Sequence, residues 1–265
     1  MAMYGEFAHA QQVFRAFAPD SEVLVLGSSH PFHAINPGSA KQLRMWNASF
    51  CSGDAWITYH TYLAIREKWP KRPGQIVLFG EDFWEAHLQT EYLRQGFLVA
   101  VILHLLIGMP YRNAFLLRDY ERTLKKMTSC NNLPPPKFIR GYWPFIEGEG
   151  LDAKTRFARH SKRLVYEPTE LPLLFRLREA VEADGRRLVY LRTPHRQDYL
   201  NEVAASGIDI WAPCAKAREG LPLLDYFSLQ PPNARCFANP DHLTPEGANW
   251  LTPIVERDLI RLNIH

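Results

Sequence analysis

Apolar positions along this chain gather into short aliphatic runs of strand length, separated by longer stretches with helical spacing. Val23 to Leu26 and Ile76 to Phe79 are unbroken apolar runs, and Arg187-Leu188-Val189-Tyr190-Leu191 is nearly so. Such runs suit strands buried on both faces of a parallel sheet. The spacing predicts strands over 23–26, 75–80 and 187–191, with shorter ones over 46–50 and 209–211. Between them the pattern predicts helices over 6–17, 55–68, 171–183 and 245–262, plus a helical turn or two over 40–45. Asp54 stands where an N-cap of the second helix belongs, and Asp184-Gly185 closes the third. Strands alternating with helices argue for βαβ units and an α/β fold.

From Trp84 to about Leu164 the alternation lapses. Two helices are expected, over 91–109 and 112–127, followed by Pro134-Pro135-Pro136 and an aromatic loop, Tyr142-Trp143-Pro144-Phe145. Residues 85–165 therefore read as a helical insertion in a single domain spanning 1–265. The longest apolar run, Phe97 to Met109, is interrupted by His104 and Gly108. It is too short to cross a bilayer as a helix. A buried helix is the leading reading and an interfacial one touching lipid the minority reading, so membrane contact is allowed but not indicated.

Composition narrows the function classes. The 31 basic and 28 acidic residues leave a net charge of +3, and no basic stripe interleaved with aromatics stands out, which argues against a nucleic-acid partner. The four cysteines, Cys51, Cys130, Cys214 and Cys236, lie far apart with no CxxC pair and no Cys/His ligand spacing. That argues against a disulfide framework or a zinc centre. Free thiols fit a reducing compartment without fixing one, and the N-terminus lacks a signal-peptide pattern. A phosphate-binding lysine after a glycine-rich loop and a GxGxxG turn are both missing, so no cofactor is expected.

Candidate chemistry lies at two distant places. Gly27-Ser28-Ser29-His30 follows the first strand at once, and ligands in open α/β sheets sit outside the strands' carboxyl ends. Asn239-Pro240-Asp241-His242 precedes the last helix, where a histidine with a carboxylate beside it suits a general base. A serine hydroxyl needs such a base, and the base needs an orienting partner. His30 and His195, on loops at the same predicted edge, are further substrate-binding candidates. Cys51 lacks an electropositive setting for a nucleophile, and Glu81 with Asp82 is too sparse for a metal pair.

Gly27-Ser28-Ser29, Asn47 with Gly53, Gly80-Glu81-Asp82 and Asp241-His242-Leu243 with Gly247, in this order, resemble the blocks of the SGNH (GDSL-type) hydrolases. The likeness is greatest to the GSSH branch, associated with acylation and deacylation of polysaccharides. It covers roughly residues 20–84 and 170–262. The resemblance implies a three-layer α/β/α sandwich with a flavodoxin-like parallel sheet of about five strands. It implies Ser29 as nucleophile, His242 as base, and oxyanion donors from the Ser29 amide and Gly53. Two positions depart from it. Asp82 stands where the family has an oxyanion-binding asparagine, leaving it a substrate-binding candidate; Asn239 stands where the family has the triad aspartate. Either Asn239 or the adjacent Asp241, on a bent loop, would then orient His242. The implied activity is that of a serine esterase or O-acyltransferase acting on a small-molecule or glycan acyl ester, such as an O-acetylated carbohydrate. The competing readings are a catalytically weak or inactive SGNH-like glycan-binding or assembly protein and a lipid-directed esterase.

Overall fold

The computed structural model describes residues 2–51, 53–81, 102–104, 106–108, 139–142, 152–161 and 171–263. Five strands form one parallel sheet: β1 (Val23–Leu26), β2 (Met45–Asn47), β3 (Ile76–Gly80), β4 (Arg187–Arg192) and β5 (Leu223–Asp225). Their order is β2-β1-β3-β4-β5, and every pairing is parallel. This is the flavodoxin-like order. The fold is a three-layer α/β/α sandwich.

Alternation along each strand builds the two cores. Leu24, Leu26, Val77, Phe79, Leu188 and Tyr190 face the layer containing α1 (Ala2–Arg15) and α3 (Ala55–Arg66). Val23, Val25, Ile76, Leu78, Val189 and Leu191 face α2 (Ser29–Ala34) and the C-terminal helix. The remaining helices are α4 (Ala153–Ser161), α5 (Leu171–Ala183), α6 (Gln197–Ser206), α7 (Ala212–Arg218) and α8 (Pro245–Asn263). Asp54 caps α3 by accepting from the Ile57 N–H at 3.0 Å, as its position in the sequence suggests.

Two expectations need correction. Residues 40–45 form no helix, because one buried carboxylate takes their amides. Glu256 of α8 accepts from the N–H groups of Lys41, Gln42 and Leu43 at 2.6–3.0 Å, holding that segment open. Residues 209–211 form no strand: the Asp209 side chain accepts from the Trp211 N–H at 3.0 Å in a turn that leads into α7. The fifth strand is Leu223–Asp225, too short to stand out from its neighbours in the sequence. Helical residues at 102–104 and 106–107 agree with the first insertion helix, while the helix expected over 112–127 lies outside the described residues. Among the described residues no helix is long and apolar enough to cross a membrane.

Candidate active site

The parallel strands point their carboxyl ends to one rim, and the chain order reverses between β1 and β3. That switch point is where an open α/β sheet opens a crevice. The turn after β1 lies there. Gly27 adopts φ 134°, a conformation that favours glycine, and so lets the chain bend straight from strand into helix. Ser28 is the N-cap of α2 and its hydroxyl accepts from the His30 N–H. Ser29 is thereby the first residue of α2, where a backbone N–H has no carbonyl to reach within the helix.

Asn47 fixes α2 from below. Its side-chain amide donates to the carbonyls of Pro31 at 3.0 Å and Ile35 at 2.8 Å, while its oxygen accepts from the Ser49 N–H. Gly80 ends β3 beneath the same helix, and a Cβ there would collide with the ring of Pro31.

The second half of the site comes from the segment before α8. The Asn239 side-chain oxygen accepts from the N–H groups of both Asp241 (3.1 Å) and His242 (2.9 Å). This turn bends the chain, so two adjacent side chains that extended backbone would send to opposite faces reach one place. The Ala238 N–H donates to the His242 carbonyl at 2.9 Å and closes the bend.

Ser29 and His242, 213 positions apart, meet here: Ser29 Oγ lies 2.8 Å from His242 Nε2. The other ring nitrogen, Nδ1, lies 3.1 Å from Asn239 Oδ1 and 3.4 Å from Asp241 Oδ1. Asn239 Oδ1 already accepts from two backbone N–H groups, so its amide cannot be flipped without losing both. An acceptor in that position puts the proton on Nδ1 and leaves the Nε2 lone pair to receive the serine proton. Both residues that the sequence offers as alternative orienters are therefore at the ring.

Asp241 is buried and surrounded. Arg156 Nε lies 2.9 Å from its Oδ1, His30 Nε2 3.3 Å from its Oδ2, and His160 Nε2 3.8 Å from the same oxygen. Burial by itself would raise the carboxyl pKa. The interactions with His242 and the hydrogen bond from His30 outweigh burial and hold the pKa well below the usual carboxylate range. Arg156 also places Nη2 3.3 Å from His242 Nδ1. It and His160 belong to α4, inside the stretch that the sequence marks as an insertion. Asp152 caps that helix through the Thr155 N–H, and Phe157 anchors it against Tyr199. His160 Nδ1 is 2.6 Å from the Tyr199 hydroxyl.

Three expectations about site residues change. The Gly53 N–H donates to the Phe50 carbonyl at 2.9 Å, so in this structure it is spent inside a turn and is no oxyanion donor, although Gly53 packs against Gly27 and Ser28. His30 and His195 are buried, and their described contacts are to protein groups. His30 stacks on His242 at 4.7 Å between ring centroids and supports Asp241. His195 hydrogen-bonds the Thr193 carbonyl through Nδ1 and packs on Tyr199 and Phe227. Its loop follows β4 to the expected rim, but its ring turns inward. Asp82 lies outside the described residues. Glu81, at the end of β3, is engaged by Arg192 at 2.6 Å and Arg218 at 3.1 Å in a buried ionic group that ties β3 to β4 and α7.

His30, Asp241 and His242 offer ligand atoms within 4.8 Å of one another, close enough to consider a metal ion. The set fits one poorly. A guanidinium already sits on the carboxylate, and the histidine nitrogen facing that carboxylate is held as a donor by Asn239.

No family model and no curated protein matches the chain. A solved structure from Bacteroides fragilis, described provisionally as an acylhydrolase, is similar to it with a TM-score of 0.48 and 11% identity. That likeness covers 96% of this chain and 95% of the other.

Proposed function

We propose that the chain is a serine-dependent acyl-ester hydrolase or O-acyltransferase working through an acyl-enzyme on Ser29. One observation carries the reading: Ser29 Oγ stands 2.8 Å from a histidine nitrogen whose opposite nitrogen faces an acceptor locked by its own backbone. In the first step His242 Nε2 takes the Ser29 proton as Oγ attacks the acyl carbonyl carbon. The new imidazolium donates through Nδ1 to Asn239 Oδ1, with the ionised Asp241 beside it supplying negative charge. Collapse of the tetrahedral intermediate passes the proton to the leaving alcohol and leaves the acyl group on Ser29. Water or a second hydroxyl then reverses the sequence.

The oxyanion falls first to the Ser29 amide at the start of α2. Gly53 joins only if its turn opens, and a missing donor costs about 3 kcal/mol of transition-state stabilisation. A slow enzyme is the consequence. The resemblance to the GSSH branch favours an O-acetylated carbohydrate as substrate. The spent Gly53 amide favours, as a second reading, a glycan-binding protein with weak or no turnover.

A fluorophosphonate probe applied to wild type, Ser29→Ala and His242→Gln tests the proposal. Labelling of wild type, lost in Ser29→Ala and strongly slowed in His242→Gln, is the expected result. Folded wild type that takes no label overturns it. Rates on p-nitrophenyl acetate, butyrate and octanoate then separate short-acyl from lipid substrates, with acetate expected to lead.

A further inference from the structure

We propose that Arg156, carried by helix α4, is a positioning residue that clamps Asp241 and sets its guanidinium charge against the His242 ring. The inference rests on the serine–histidine reading for its catalytic meaning, but its geometry stands independently. Arg156 Nε reaches both oxygens of Asp241, at 2.9 and 3.1 Å, and Nη2 stops 3.3 Å from His242 Nδ1. One guanidinium thus touches both the carboxylate and the ring that the carboxylate serves.

Two effects follow. The clamp fixes the carboxylate so that Oδ1 faces the ring, at 3.4 Å from Nδ1. The positive charge also opposes that of an imidazolium, partly cancelling what Asp241 contributes.

The other charged or titratable groups around the ring come from four elements. His30 and His33 face it from α2, at ring distances of 4.7 and 5.2 Å. His160 approaches Asp241 from α4. In the loop after β4, His195 lies 5.0 Å from the His30 ring, and the Arg196 charge acts on Asp241. Asp241 itself comes from the same turn as His242. Of these groups, only Arg156 brings a permanent positive charge within hydrogen-bond distance of Nδ1 among the described contacts. The signal in the sequence is faint: Arg156 and His160 are four apart, on one face of a helix.

The test follows the His242 ring by NMR on the full chain with labelled histidine, assigned by the signal missing in His242→Gln. Arg156→Gln should move the ring's titration midpoint up by about one pH unit, a tenfold change in proton affinity. Arg156→Lys, which keeps the charge, should leave the midpoint near that of wild type. The acid limb of fluorophosphonate labelling should shift in parallel.

Removing one partner of a buried pair can prevent folding. The comparison of Asp241→Asn with the double variant Asp241→Asn/Arg156→Gln therefore isolates the guanidinium without a lone buried cation in the double variant. Its midpoint should lie above that of Asp241→Asn. Equal midpoints in either comparison overturn the proposal. A shift in the ring titration with no Ser29 labelling would instead uphold the role of Arg156 and overturn the acyl-enzyme reading.

Discussion

Lowering the pH from 7.5 to 5.0 should destabilise the fold by a calculable amount through two buried histidines. His195 is held down to about 3, first by burial and then by repulsion from His30, against the weaker pull of Asp241 and the Thr193 carbonyl. His9, wedged against Phe32 and Phe50, is held down to about 4 by burial, offset by its hydrogen bond to the Gly141 carbonyl. In the unfolded chain both titrate near the ordinary histidine value of about 6.5. Both pKa values are lower folded than unfolded, so the unfolded chain binds more protons throughout the interval between them. Stability is full above about pH 6.5 and falls as the pH drops below it. At pH 5 the unfolded state has gained about 2 kcal/mol from each ring, roughly 4 in all, out of a typical total of 5–15. Glu81 works in the opposite sense, since burial raises its carboxyl pKa in spite of Arg192 and Arg218. A mutant comparison removes that offset. His195→Asn keeps a donor for the Thr193 carbonyl where Nδ1 stands and does not titrate. Urea unfolding at both pH values should show its loss between pH 7.5 and 5.0 to be about 2 kcal/mol smaller than that of wild type. Equal losses would refute the reasoning, because they would mean that His195 is protonated as readily folded as unfolded.

Three further outcomes follow from contacts already described. Glu256→Ala should cost about 3 kcal/mol in urea unfolding, because the amides of Lys41, Gln42 and Leu43 lose one charged acceptor. Gly80→Ala should push the Pro31 ring and α2 away from β3, destabilising the fold by about 1–3 kcal/mol and cutting Ser29 labelling by more than tenfold. Asn239→Asp keeps the acceptor for both backbone amides and adds charge beside Nδ1, so labelling at neutral pH should quicken, whereas Asn239→Leu should slow it at least a hundredfold by releasing the ring tautomer.

The sheet was legible wherever a strand is buried on both faces, because an aliphatic run of that kind has few other uses. Val23–Leu26, Ile76–Gly80 and Arg187–Arg192 fall where their composition puts them. Leu223–Asp225 was not legible: three residues, one of them exposed, carry no period. The missing helix at 40–45 has a different cause. Its amides are claimed by a carboxylate more than two hundred residues away, and a local pattern holds no trace of that bond. The helices over 197–206 and 212–218 went unread because they are only ten and seven residues long, too few turns for an apolar period to stand out.

The same division runs through the site. Ser29 and His242 could be found because each sits in a locally distinctive turn, a glycine-led strand exit and an Asn-Pro-Asp-His bend. The orienter of His242 was posed as a choice between Asn239 and Asp241, yet the bend makes the choice unnecessary. By accepting from the amides of both following residues, Asn239 brings Asp241 to the side of the ring that its own oxygen occupies. An aspartate at 239 would place a second carboxylate against the same nitrogen, whereas the asparagine supplies geometry and leaves the charge to Asp241. That carboxylate is buried, and a buried charge needs a counter-charge. Arg156 provides it from a helix that the sequence sets apart as an addition to the core. Helix α4 is therefore built into the electrostatics of the serine–histidine pair, and a version of the chain lacking it would leave Asp241 without the Arg156 guanidinium.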